Sequence, residues 1–250
     1  MGRVSELDRS NSSSSLAEVA VVLLSKFPAA GKVKTRLTPA ISPDQAAGVH
    51  RCFLLHMARR INRLGAAELI VCFDPPDARA AMNDLLADCG KVSLEAQVGG
   101  DLGWRIAHVI ATVGRSHRRV LVLAVDSPDV PTAHLSNCAA ATADTQFVLG
   151  LADDGGYWCL GVRAEIDAAA LLHAGIEWST DRTAEHTLAN ARHLGYSNSA
   201  GNSWDDVDQP QDLRKLVARL EQSTDAEDRE LHGELCRLLP VDFLRPAVAK

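Results

Sequence analysis

Apolar positions along this chain come in short continuous runs, separated by longer stretches with helical spacing. Residues 19–24 (VAVVLL) are unbroken apolar and rich in β-branched side chains, the pattern of a strand buried on both faces. Residues 68–73 (ELIVCF) and 120–125 (VLVLAV) read the same way, and residues 92–98 alternate in part. Helical patterns fill the intervals at residues 43–65, 77–88 and 101–113. Ser42 and Asp101 are placed to cap the first and third, and Gly65 to end the first. A helix is predicted over residues 132–143, then strands at 147–151 and 157–162 joined by a Gly-Gly turn. Helices follow over residues 182–194, stopping at Gly195, and from Pro210 to about residue 220. Strands alternating with helices predict an α/β protein with a mostly parallel sheet of six or seven strands between helical layers. Such sheets bind ligands at the carboxyl ends of their strands, where the polar motifs of this chain fall.

Composition narrows the picture. The formal charge of −6 and pI near 5.8 argue against nucleic acid as a partner. No apolar run approaches the roughly 20 residues that span a bilayer. Residues 1–16 (MGRVSELDRSNSSSSL) lack the charged and apolar regions of a signal peptide. The expectation is a disordered leader over residues 1–18, a single domain over 19–250, and a cytoplasmic location. The six cysteines form no C-x-x-C pair, so they read as reduced, structural residues rather than a zinc site.

Five segments carry candidate chemistry. The first, KFPAAGKVKTRL at residues 26–37, leaves the first strand with Lys26, Lys32, Lys34 and Arg36 around Gly31. Gly31 permits a tight backbone turn, and Lys34 and Arg36 can neutralise phosphate oxygens. Neither the Walker spacing nor G-x-G-x-x-G is present, and a solvated basic loop is the alternative. In the second, VDSPDVP at residues 125–131, Asp126 ends a strand that otherwise has no polar side chain. A hard cation such as Mg²⁺ is commonly held by one or two carboxylates plus phosphates. Asp129 reads equally well as turn chemistry.

The third segment, residues 152–158, sets Asp153 and Asp154 before Gly155 and Gly156, then Tyr157 and Trp158. A hairpin explains the glycines, while the two aromatic residues beside a carboxylate suit a sugar or base. The fourth is Trp178-Ser179-Thr180. The fifth holds Asp205, Asp206 and Asp208, which repel one another unless a cation or solvent accommodates them. A solvated cap for the helix from Pro210 is its alternative, and Asp206 is the better metal candidate.

Six pieces in order then make the chain recognisable. They are KFPAAGKVKTRL (26–37), GDLGWR (100–105), VDSPDVP (125–131), LADDGGYWCLGV (151–162), WST (178–180) and DDVDQPQDL (205–213). Over residues 21–213 the chain resembles the rSAM/selenodomain-associated transferases. That family is related to nucleotide-diphosphosugar transferases and to molybdenum-cofactor and phospholactate nucleotidyltransferases. The resemblance implies a GT-A-like three-layer sandwich, a nucleotide bound over the first loop, and Mg²⁺ or Mn²⁺.

By matching position, Lys26, Gly31, Lys34, Thr35 and Arg36 would form the nucleotide-phosphate side. Asp126 would hold metal, with Asp206 or Asp208 as the second ligand. Asp154, Gly155, Gly156, Tyr157, Trp178, Ser179 and Thr180 would face the acceptor, and Asp126, Asp154 and Lys34 would be catalytic. Two departures stand out: Pro28-Ala29-Ala30-Gly31 lacks the second proline usual before the glycine, and residues 196–203 are polar where a final strand is usual.

The leading expectation is a metal-dependent glycosyltransferase using a nucleoside-diphosphosugar and a small-molecule acceptor. The alternative is a nucleotidyltransferase that joins a nucleoside triphosphate to a phosphorylated small molecule. A lone Asp126 without an adjacent D-x-D leans toward the alternative, and a loop with one glycine leans away from a triphosphate cradle. A non-catalytic nucleotide-binding module is the third reading.

Overall fold

The computed structural model describes residues 16–173 and 175–244. Among them, strands β1 (Ala20–Lys26), β2 (Glu68–Asp74), β3 (Ser93–Ala96), β4 (Arg119–Ala124), β5 (Phe147–Leu151), β6 (Tyr157–Arg163) and β7 (Asn198–Ala200) form one sheet. Its order is β3-β2-β1-β4-β6-β5-β7. β6 runs antiparallel to both its neighbours, and the other pairings are parallel. The sheet is thus mostly parallel, as the alternating pattern predicts. β7 occupies the polar stretch that the sequence leaves without a strand: only three residues pair, at the edge beside β5, where a polar strand can face water.

The apolar runs behave as strands buried on two faces. In β1, Val21 and Leu23 pack into one core with α1 (Pro43–Arg63) and α4 (Thr132–Asp144). Ala20 and Val22 pack into the opposite core with α3 (Leu102–Val113), α5 (Ala168–His173) and α6 (Thr183–His193). The period-two alternation of a strand is the reason. α2 (Arg79–Leu86) buries Met82 and Leu86 on the α1 side, after a 3₁₀ turn over Pro76–Ala78. A third cluster joins α1 to α7 (Pro210–Gln222), α8 (Ala226–Leu238) and α9 (Val241–Leu244). Of these the sequence reading reached α7, but not α5, α8 or α9.

Helix starts follow their capping chemistry. Ser42 and Gln45 form a reciprocal capping box at α1, and Asp101 accepts from the Trp104 N–H at 2.8 Å. The predicted leader, residues 1–18, lies mostly outside the described residues. Its described end belongs to the domain instead: Leu16 is buried in the core, and its carbonyl accepts from Val19 and Ala67. No helix among the described residues is long and apolar enough to cross a membrane. All six cysteines are unbridged and five are buried.

Candidate functional site

β1 and β4 run side by side in parallel, so the loops after both emerge at one edge of the sheet. Gly31 and Asp126 therefore share an edge, as the sequence predicts. The third contributor is the acidic turn before α7, residue 207 at its centre. The Val207 N–H donates to the Asp126 carbonyl at 2.9 Å, while the Val207 carbonyl accepts from Lys34 Nζ at 2.6 Å. Two main-chain anchors on one residue thus bring Asp206 and Asp208 beside Asp126, across some eighty positions of sequence.

Lys34 departs from expectation. The sequence places it in an exposed loop, whereas its side chain is 4% exposed, over the Phe53 ring. Its ammonium lies 2.8 Å from Asp126 Oδ1 and 3.9 Å from Asp208 Oδ1. Arg36 is exposed, at 62%, as are Lys26 and Lys32, and pairs with Asp208 Oδ2 at 2.5 Å. The Asp208 carboxylate is therefore occupied by cations of its own chain, unlike a free metal ligand. Gly31 supplies a left-handed turn (φ 72) in open space, so it shapes the loop without making a close approach. Thr35 opens a short 3₁₀ turn and is exposed, as is Lys26.

The electrostatics at the edge are unbalanced toward negative charge. Burial by itself would raise the proton affinity of Asp126, but the charge and hydrogen bond of Lys34, together with His50, hold the carboxyl below its ordinary value. Asp206 goes the other way. Burial first, then the charges of Asp208, Asp154 and Asp126, push it up from 3.8 to about 6. Asp205 is likewise raised, by burial and by a carboxyl–carboxyl contact with Asp153.

Support comes from behind. His50 on α1 points Nε2 at the Lys26 carbonyl and Ser25 Oγ, each at 3.0 Å, so Nε2 carries the proton. Burial lowers its pKa, which keeps the ring neutral. Arg60, also on α1, donates to the Pro128 carbonyl and to Thr132 Oγ1, both at 3.0 Å, and so braces the loop that carries Asp126. Sequence reasoning missed both residues: each is a lone polar position on the buried face of a helix, a weak signal. Asp129, in the same loop, is turned away into an ion pair with Arg219 and a bond from Trp204 Nε1.

At this edge lies a cavity of about 140 Å³. Asp126, Asp154, Asp206, Tyr157, Trp178, Ser179 and Thr180 all line it, so most of the expected acceptor side meets the expected metal side. Leu102, which the sequence reading did not single out, lines it too. Asp154 is also turn chemistry, accepting from the Gly156 N–H at 2.9 Å. Gly155 (φ 84) lets the chain pass against Asp181, whose carbonyl oxygen would lie 1.9 Å from any Cβ there. Gly103 leaves the space that the Trp178 ring fills, and Tyr157 meets Trp178 edge-on at 6.5 Å.

The aromatic pair expected of Tyr157 and Trp158 does not form. Successive strand residues point to opposite faces, so Trp158 is buried in the first core while Tyr157 packs in the second. The Trp158 Nε1 donates to the Asn202 carbonyl at 3.0 Å, a structural role.

Whether a divalent metal suits these residues is a matter of donor chemistry. Among the described residues no three Asp, Glu, His or Cys side chains converge as a ready-made metal site. Asp126 and Asp206 do face one cavity, and the raised proton affinity of Asp206 marks a carboxylate short of positive charge. Two carboxylates fit an Mg²⁺-like ion that brings phosphate and water ligands with it, rather than one caged by protein alone.

The family described as "Uncharacterized protein conserved in bacteria (DUF2064)" matches residues 57–180, from within α1 to the Trp178–Thr180 turn. No curated protein matches the chain in sequence. The chain is similar to a solved structure from Desulfovibrio desulfuricans G20, named provisionally as a nucleotide-diphospho-sugar transferase. The two are 27% identical with a TM-score of 0.76, over 90% of this chain and 99% of that one. The fold is also shared with the inositol-1-phosphate CTP transferase of T. maritima, at 14% identity and TM-score 0.54, over 90% of this chain and 98% of that one. A cytidylyltransferase of Leptospira borgpetersenii serovar Hardjo-bovis matches at 9% and 0.56, over 93% and 99%. The chain thus has the fold of the nucleotide-diphosphosugar transferase structures, with a seven-stranded, mostly parallel sheet.

Proposed function

We propose that the protein is a metal-dependent transferase that moves a glycosyl group from a nucleoside-diphosphosugar to a small-molecule acceptor. The observation that carries this reading is that Asp126, Asp154 and Asp206 line one cavity together with Tyr157, Trp178, Ser179 and Thr180. Asp126 contacts Lys34 of the Lys34–Arg36 loop, whose cations suit a diphosphate. Tyr157, Trp178, Ser179 and Thr180 offer two aromatic rings and three hydroxyls, which suit a sugar or a polar acceptor. The 27% identical structure from Desulfovibrio desulfuricans G20 carries a name of the same class and supports the reading.

Asp126 and Asp206 would hold the divalent ion, Mg²⁺ or Mn²⁺. Its contribution is charge: a bound cation stabilises the departing diphosphate. Arg36, exposed at the rim, meets the phosphates. Trp178 and Tyr157 orient the acceptor and keep water from the reacting centre. Asp154, exposed and near Asp206, is placed to accept the acceptor's hydroxyl proton.

Nucleotidyl transfer is the second reading, favoured by one feature. Asp126 is followed by Ser127 and Pro128, so the second carboxylate comes from a separate segment rather than from a D-x-D. One experiment separates them. The protein is incubated with Mn²⁺ or Mg²⁺, nucleoside triphosphates or nucleoside-diphosphosugars, and panels of acceptors. Release of nucleoside diphosphate supports glycosyl transfer and release of pyrophosphate supports the second reading. Neither product, with nucleotide binding equal in EDTA and in Mn²⁺, would overturn both.

A further inference from the structure

Three segments far apart in sequence meet on one ammonium. Lys34 Nζ lies 2.8 Å from Asp126 Oδ1, 2.6 Å from the Val207 carbonyl and 3.9 Å from Asp208 Oδ1. Lys34 also takes a left-handed backbone conformation (φ 48), which an L side chain rarely adopts and which costs about 1 kcal/mol or more.

This arrangement sets an ammonium and a divalent ion in competition. Asp126 is one of the two carboxylates facing the cavity that suit a metal, and Lys34 already neutralises it at contact distance. Asp206, the other, has no cation at contact distance among the described residues and carries the repulsion of Asp208, Asp154 and Asp126. A metal arriving alone would have to displace a buried, doubly held ammonium and leave it only the more distant Asp208 carboxylate, already paired with Arg36, which is costly. A metal arriving on a phosphate would not. The phosphate oxygens give the ammonium a new anionic partner, and the metal takes over the charge of Asp126.

We propose that Lys34 gates Asp126: its ammonium covers the carboxylate at contact distance, so a divalent ion gains Asp126 only when nucleotide phosphate draws the ammonium away. The proposal rests on the metal-dependent reading above. It makes metal binding contingent on nucleotide, and it assigns Lys34 a partner in each state: Asp126 before binding and phosphate after. Val207 is the pivot, because its carbonyl holds the ammonium and its N–H holds the Asp126 backbone.

The test is calorimetry and electron paramagnetic resonance with Mn²⁺ alone, on the full chain without nucleotide. Wild type should bind Mn²⁺ weakly. Lys34→Met removes the competing charge while keeping the stem over Phe53, and should bind Mn²⁺ at least about tenfold more tightly. Lys34→Met combined with Asp126→Asn should return to the wild-type level. Lys34→Gln, which can still donate to the Val207 carbonyl, gives the same comparison if the methionine variant does not fold. Unchanged or weaker Mn²⁺ binding in the folded Lys34 variant, or wild type already binding as tightly, overturns the gate. Failure of the functional reading shows elsewhere: wild type would then bind nucleoside diphosphate equally in EDTA and Mn²⁺, whatever the Lys34 variants do with Mn²⁺ alone.

Discussion

Asp126 and Asp129 are three residues apart in one loop, yet they end in opposite environments. Asp129 is 5% exposed and meets Arg219 through both oxygens, at 2.5 and 3.2 Å, with the Trp204 N–H at 3.1 Å. One negative charge meets one positive charge, and both carboxylate oxygens are used. Asp126 is 32% exposed and shares a single ammonium with Asp208, while Asp206 and Asp154 add uncompensated charge nearby. A balanced pair holds a structure together; an unbalanced one has affinity to spare. The difference separates a seam between α7 and the β4 loop from a place where ligand charge is wanted.

The comparison can be broken most forcefully at Asp126. Asp126→Asn keeps the shape and the Val207 bond to Lys34 and leaves Asp208 as a nearby counter-charge, so the melting temperature should fall less than for Asp129→Ala. Activity should fall by about two to three decades, the usual loss when one charge at a reacting phosphate is removed. Steady-state kinetics beside thermal melts decides it; retained activity would reduce Asp126 to a structural residue.

Asp129→Ala should reverse the pattern. It strands Arg219 and the Trp204 N–H, and breaking a largely buried pair should cost about 2–4 kcal/mol after allowing for the partial exposure of Arg219. The melting temperature should then drop by about 5–15 °C. A variant as stable as wild type would show that the seam contributes little.

A smaller effect, with a pH signature, is expected at Asp206. Its folded-state carboxyl binds a proton more tightly than the ordinary 3.8, near 6, so its charge destabilises the fold. That penalty is absent below about pH 4, grows through the interval, and is full above about pH 6. Asp206→Asn should therefore melt higher than wild type at pH 8, by about 1–2 kcal/mol, and match it near pH 4. Equal curves at both pH values would mean that the carboxylates do not repel as placed.

The smallest effect concerns Arg36, which is exposed and already paired with Asp208. Arg36→Ala should weaken nucleotide binding by about tenfold or less, without moving the melting temperature, because a solvent-screened contact is worth about 1 kcal/mol. Titration with nucleoside diphosphates measures it, and an unchanged curve would remove Arg36 from the phosphate side.

The sequence by itself determined the parts that depend on neighbours along the chain. Strand burial on two faces is written in residues 19–24 and 120–125, the α1 cap in Ser42 and Gln45, and the hairpin turn in Gly155 and Gly156. The exit of Asp126 at the ligand edge followed from an apolar strand that ends in a carboxylate, and the order of motifs placed the remaining pieces. Local rules went wrong where the answer lay in the third dimension. Tyr157 and Trp158 are adjacent in sequence but belong to different cores, because the pleat sends them to opposite faces. Lys34 reads as an exposed loop lysine until Val207 and Asp126 close over it. Long-range main-chain bonds such as Val207 to Asp126 leave no trace in the residue types that make them, since every backbone offers the same donor and acceptor. The sequence therefore decided which charges this edge would carry, and the tertiary structure decided which of them would find a partner.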